Sequence, residues 1–367
     1  MTAFKSPLAR CAISRRSFLA GAAGLGVAAL FPARGWAQSA STVTQFIWTG
    51  AQEPVPRRLA REYAAANPHV KIDIIAGTNA STYPKLAVSR DIDPDSPLVN
   101  FGFFNLDAAE RGKLVDMWLP IDEATVPNVA HILPAYRQKD DLGAIFCMDA
   151  GGLVYNTAKF GAAAPDSWDA IFDPALKGKV ALFDGFWAGN GLVAVAKLHG
   201  GGEDDIEPAI ALYEKAARDG QFHSLVTSNA QLQQLLVSGE VVLAPHFRGV
   251  ALPWAKGGAP IGYSAPKEGQ VAFPEGFQLV NGSSEAQLKA ARELINLSLS
   301  AENVLDYCLT ANVIPLTDNV KLPAEIADDP TIGADAINAA LQLDYAKIAA
   351  NGPKWSALWN KRVKANI

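Results

Sequence analysis

Three apolar runs, residues 46–48, 70–75 and 98–104, each end at a polar or glycine-bearing loop and give way to a segment of helical periodicity. That alternation restricts the chain to an open, mostly parallel α/β sheet, because a parallel neighbour is reached only through a crossover, usually a helix. Pro54 and Pro56 suit a first helical turn, Val55, Leu59 and Tyr63 keep an i, i+4 face, and Asn67-Pro68 stops it. A helix around 83–88 follows the second run. Asp107 is placed to cap a third helix ending near Gly112.

A second series repeats this grammar without repeating the sequence. GLVYNT (152–157) reads as strand and turn, Asp166 or Ser167 as the cap of a short helix carrying Trp168 and Ile171, and 179–184 as an apolar strand. Helical patterns over 190–198 and 206–218, and another from Ser228 or Asn229 through Leu236, precede a further strand in EVVLAP (240–245). Two extended runs flanked by glycine and proline, 141–152 and 259–269, separate the series. They are expected to be two hinge-crossing strands joining two lobes, with a ligand cleft between the lobes. The boundaries this implies are 41–146 with 263–312 for lobe 1, and 147–262 with 313–367 for lobe 2. Ligands in open parallel sheets sit beyond the carboxyl ends of the strands, so strand-to-helix loops would line the cleft.

The residues before this core read as an export signal. Arg15 and Arg16 in SRRSFLAG precede an apolar run rich in glycine and alanine, and Gly35-Trp-Ala37 offers small residues for cleavage near Ala37. Ser14, the arginine pair, Phe18 and Leu19 follow the twin-arginine pattern in order, with Ala20 where lysine is usual. An ordinary secretory signal with a basic start is the alternative reading. No later run has the apolar length to cross a bilayer.

Removal of 1–37 takes away Lys5, Arg10, Arg15, Arg16 and Arg34 and no acid, so the formal charge of −5 becomes −10. An acidic surface argues against a nucleic-acid partner. Of the three cysteines, Cys11 lies in the signal, and Cys147 and Cys308 either pair in an oxidising compartment or are buried as small apolar residues. The remaining length exceeds what one core sustains, hence the two lobes. A monomer is expected.

Motifs for chemistry are sparse. The five histidines form no HExxH, and there is no CxxC, no GxSxG elbow and no Walker loop. No cofactor and no metal is expected. A hydrolase built from scattered residues, His246 with Asp184 and a serine, is the reading outside the binding class. The strand ends instead carry aromatic and polar groups suited to a small-molecule site: Trp48-Thr49, Thr78-Asn79, Phe103-Phe104-Asn105 and Asp184-Gly-Phe186-Trp187. Trp48 is either a wall of that site or a core tryptophan packed under a loop.

SWDAIFDPALKGKVALFD, with GLVYNT upstream and the IWTG opening, resembles the periplasmic solute-binding proteins of ABC importers, and among them the spermidine/putrescine-binding group. The resemblance runs from about Phe46 to the C-terminal helices. It implies a two-lobed periplasmic binding protein fold closing on a ligand in the periplasm and delivering it to a membrane permease. Trp48 and Thr49 match the group's Trp-Thr pair, and 102–105 matches its polar-aromatic loop approximately. Where the group carries several acids after the KGKV strand, this chain offers only Asp184, and its late loop AFPEGF leaves Glu275 as the nearest acid. The resemblance therefore points to a polyamine such as spermidine or putrescine, with Asp184, Asp149 and Glu275 as counter-charges and Trp48, Phe104 and Trp187 as cation–π partners. Arg248, beside His246 in APHFRG, is either a surface residue or the anchor of an alternative ligand, an amino acid, carboxylate or phosphonate. Iron-binding relatives use adjacent tyrosines, and no two tyrosines here are neighbours.

Overall fold

In the computed structural model, which describes residues 41–161, 163–184, 190–329 and 331–367, the first alternation folds into three parallel strands with helices between them. The strands are β1 (Ser41–Trp48), β2 (Val70–Gly77), β3 (Phe101–Asn105), β4 (Trp118–Leu119), β5 (Ala144–Asn156), β6 (Val180–Phe183), β7 (Phe222–Val226), β8 (Leu243–Phe247), β9 (Ile261–Ser264), β10 (Val271–Val280) and β11 (Ile314–Pro315). Their order is β2-β1-β3-β10-β5-β8-β6-β7, with β4 on β10 and with β9 and β11 on β5. β1 is parallel to β2 and β3, and β6 is parallel to β7 and β8. The two flanks are thus the βαβ lattices that the periodicity demands, and antiparallel β10 and β5 join them.

Local chemistry sets the helix starts. Helix Pro54–Ala66 buries Val55, Leu59 and Tyr63, as its spacing requires. Thr78 and Ser81 close a capping box, so the second helix begins at Asn79, four residues before the expected start. The third helix, Leu106–Lys113, is capped by Asn105, whose Oδ1 accepts from the Ala108 N–H at 2.9 Å, and not by Asp107. Asp107 lies within the first turn, where its charge faces the positive end of the helix.

One of the two hinge crossings differs from its expected position. From Ala144 onward the run 141–152 belongs to β5, which continues to Asn156 and includes most of GLVYNT. One end of β5 pairs with β10, and the other, from Gly151 onward, pairs with β8 and β9. The run 259–269 does not cross: it forms β9, which stays on the second lobe's part of β5. The return strand is β10, whose residues are all buried, so it shows no alternation of polar and apolar positions. Trp168 Nε1 donates to the Gly269 carbonyl at 2.9 Å just before β10 begins, so the SWD segment anchors the turn into the hinge. A third crossing runs through β11, antiparallel to Cys147 and Met148.

Each lobe has its own core. Phe101, Phe103, Phe146, Phe277 and Tyr307 fill the first, beneath helices Glu285–Ser298 and Ala301–Ala311. Cys147 and Cys308 are buried there as free thiols. Trp168, Tyr213 and the C-terminal helix Tyr345–Arg362 build the second, with Trp359 edge-on to Tyr213 at 5.2 Å. No helix among the described residues is long and apolar enough to cross a membrane.

β10 shifts register against β5 between Glu275 and Gly276. A side chain at 276 would overlap the Ala144 carbonyl and lie 2.6 Å from Ile145 Cα, so only glycine allows the two crossing strands to meet here. Gly276→Ala is expected to destabilise the protein by about 3 kcal/mol, read as a lower urea midpoint. An unchanged midpoint would show that the strands can separate at little cost.

Candidate functional site

The carboxyl ends of the strands meet around a cavity of about 430 Å³. From the first lobe come Trp48, Thr49 and Gln52 after β1, Thr78 and Asn79 after β2, and Asn105 at the end of β3. The second lobe supplies Phe183, Asn229, His246, Phe247 and Trp254, and the crossing strands supply Asp149, Phe273 and Glu275.

The register of β5 on β10 sets the two acids side by side. Phe273 lies opposite Asp149 and Glu275 opposite Cys147. Directly paired residues share a face, as do alternate residues along a strand, so Asp149 and Glu275 are diagonal neighbours across the crossing strands. Asp149 is 7% exposed, and its Oδ1 accepts from the Ala150 N–H at 2.7 Å and the Gly249 N–H at 3.0 Å. Gly249 belongs to the first turn of helix Arg248–Lys256, whose dipole also favours a negative charge there. Burial nevertheless pushes the Asp149 carboxyl up to about 6, with these hydrogen bonds and the Arg248 charge opposing it. Glu275 is 1% exposed and is driven well above the usual carboxylate range, first by burial and then by the Asp149 charge, while a hydrogen bond from the Gln52 amide opposes both.

Neutral groups complete the wall. His246 Nε2 lies 2.9 Å from Asn229 Oδ1, an oxygen that only accepts, so Nε2 carries the hydrogen and Nδ1 is a bare acceptor. Burial lowers the imidazole to about 3, which keeps it uncharged at neutral pH. In the amide orientation that satisfies both donors, the Asn79 oxygen accepts from Trp48 Nε1 and from the Asn105 N–H, each at 3.2 Å, and so holds the indole at the end of β1. Aromatic rings pack around the space: Trp48 against Phe273 at 6.3 Å, Phe273 against Phe247 at 5.0 Å, and His246 between Phe183 at 4.5 Å and Trp254 at 6.0 Å.

Of the residues singled out from sequence, Trp48, Thr49, Asn79, Asn105, Asp149, His246 and Glu275 line this cavity. Phe104 does not. It is fully buried between Phe46 and Trp118, each at 5.0 Å, because the sheet is covered on both faces and this position points into the core. Asp184 is also absent from the wall, since its Oδ2 pairs with Lys364 Nζ at 2.9 Å. The hydrolase constellation is therefore not assembled: His246 bonds to Asn229 and Asp184 to Lys364. Trp187 lies outside the described residues.

Arg248 requires the largest correction. Its guanidinium donates to Thr331 Oγ1 at 2.6 Å, the Asn312 carbonyl at 3.1 Å and Asp329 Oδ2 at 2.7 Å, and it is not on the cavity wall. Sequence reasoning missed Gln52, Phe273, Asn229 and Trp254. Phe273 follows from Glu275 by the period of two, and Asn229 is left free because Ser228 caps its helix. Trp254 carries no local signal. Among the described residues no three or more His, Cys, Asp or Glu cluster as metal ligands.

A family model of bacterial extracellular solute-binding proteins matches residues 58–334. No curated protein matches the chain. An ABC transporter substrate-binding protein from Bradyrhizobium japonicum superposes with a TM-score of 0.73 at 19% identity, covering 87% of this chain and 99% of that one. A spermidine/putrescine ABC transporter substrate-binding protein from Streptococcus pneumoniae gives 0.69 at 16% identity, covering 89% and 100%. A periplasmic binding protein from Actinobacillus pleuropneumoniae with fructose-6-phosphate bound gives 0.69 at 17%, covering 88% and 99%. At these identities the likeness is one of fold, and the names span ligands of opposite charge.

Proposed function

This chain belongs to the bacterial extracellular solute-binding proteins, and on that premise we propose that it captures a small organic cation of the amine class, the class of putrescine and spermidine, for an ABC importer. The observation that carries the charge is the Asp149–Glu275 pair. Two buried carboxyls stand as diagonal neighbours, and no lysine or arginine lines the cavity among the described residues. Two like charges in a low-dielectric space are mutually unfavourable, and an enclosed cation offsets the repulsion. Faces such as Trp48 and Trp254 add cation–π attraction of about 0.5–2 kcal/mol each. An anionic ligand would meet the same carboxyls, and the Arg248 guanidinium on which that alternative depended is committed to Asp329 and Thr331.

Both acids lie on the strands that join the lobes, so a bound cation contacts the hinge while the aromatic walls close over it. The ligand is then handed unchanged to a membrane permease. Residues 1–37, which read as an export signal, lie outside the described residues and agree with an extracytoplasmic receptor.

A thermal-shift screen against amines, amino acids, phosphonates and sugars tests the ligand class, since a ligand stabilises the folded state it binds. Amines are expected to raise the melting temperature, and a response to anions alone would overturn the reading. In the same assay Trp48→Ala is expected to weaken amine binding by about 1–3 kcal/mol. Its stability loss should stay below the roughly 3–5 kcal/mol of a core aromatic truncation. Unaltered affinity would remove Trp48 from the site.

A further inference from the structure

We infer that the cavity selects a cation with a single N–H-bearing head, a protonated amine or a guanidinium, over quaternary ammoniums and over diamines that need a second anionic anchor. This rests on the cation reading above and narrows it. Among the described residues, three buried atoms on the cavity wall have no partner: Gln52 Oε1, His246 Nδ1 and Glu275 Oε2. Toward an incoming cation each acts as an acceptor. The Gln52 amide lowers the Glu275 carboxyl, as a donor turned toward it does, and its oxygen is the atom left to accept. The His246 Nε2–H is directed at Asn229, which leaves the Nδ1 lone pair. An incoming cation favours the ionised form of Glu275, whose oxygens only accept.

An acceptor taken out of water and left unpaired is unfavourable, so the ligand that satisfies these three must donate hydrogen bonds. A quaternary ammonium offers charge to the carboxyls and methyl groups to the aromatic rings, but no N–H. It leaves all three acceptors as they are in the empty cavity. Sites built to hydrogen-bond a group reject analogues lacking it far more strongly than they reject a change of one methylene.

The single head follows from where the acids are. Asp149 and Glu275 are the only acids on the wall among the described residues, and they form one locus on the crossing strands. The remaining polar groups, among them Thr49, Thr78, Asn105 and Asn229, are neutral. Asp184 pairs with Lys364, and the adjoining residues 185–189 read Gly-Phe-Trp-Ala-Gly, which contains no acid. A second ammonium along the ligand would lose its water without gaining a counter-charge.

Titration calorimetry of the mature protein at pH 7.5 with n-butylamine, butylguanidine, butyltrimethylammonium and putrescine tests this. The amine or the guanidine is expected to bind at least about 100-fold more tightly than the quaternary ion, and putrescine no more tightly than butylamine. Affinities for amine and quaternary ion within about 10-fold of each other would overturn the donor match, and putrescine binding more than about 10-fold tighter than butylamine would overturn the single head. Absence of binding by all four at millimolar concentration would overturn the cation reading itself. Gln52→Leu, on a short surface helix, is expected to shrink the amine-to-quaternary ratio by about 5-fold or more, and an unchanged ratio would remove Gln52 from the recognition.

Discussion

Asp149→Asn is expected to weaken binding of the cation by about 2–5 kcal/mol while making the empty protein more stable at neutral pH. Opposite signs arise because the carboxylate's charge would serve the proposed cation and burdens the fold. Asparagine keeps an oxygen to accept from Ala150 and Gly249, so the substitution removes charge and leaves the hydrogen bonds. The Asp149 carboxyl titrates near 3.8 when unperturbed and near 6 in the folded protein. Between those values the folded state holds a proton that the unfolded chain has released. The stability contributed by this group is therefore fully present below about 4 and is lost as the pH rises through 6, a change of roughly 3 kcal/mol at most. Urea midpoints at pH 4.5 and 7.5 should show the native protein losing stability relative to the variant as pH rises. Parallel profiles, or an undiminished affinity, would place the ligand's charge contact elsewhere.

Arg248→Gln should do the reverse, lowering stability by about 2–4 kcal/mol and leaving cation affinity within a few-fold. Arg248 opens the helix after β8, and its fork ties that helix to Asn312, Asp329 and Thr331, residues that are distant in sequence. Asp329 is partly buried. Burial works against its ionisation, but Thr331 and Arg248 prevail and hold its carboxyl below the usual range. Glutamine would leave that carboxylate without a counter-charge. The partial exposure of Asp329 keeps the loss below the value for a fully enclosed pair. A urea midpoint unmoved by the substitution would refute the clamp, and a collapse of ligand binding with stability intact would return Arg248 to the site.

What the sequence made legible was governed by range. Strand ends and helix starts are local, so Trp48, Asn79 and Asn105 were placed at loops that face the cavity. Phe104 was misplaced because alternation assigns a residue to one face of a strand, and here both faces are covered. Arg248 was unreadable because the partners that turn it away lie more than sixty positions along the chain. β10 was passed over because a strand buried on both faces shows no period, and Pro274 within it speaks against a central strand. Glu275 entered through the resemblance to polyamine binders, not through any pattern of its own.

The acids on β5 and β10 occupy the strands that join the lobes, which would be the axle of any swing between them. Points near an axle travel little, while those at the rim sweep wide arcs. As such a clamshell opens, Trp48 and Trp254 would part from the ligand early, and the carboxyls would still hold it. Release would then be ordered, the rings letting go first and the charges last. Separating the lobes alone would not free the cargo, so the permease would have to compete for the cation as well as pull the lobes apart.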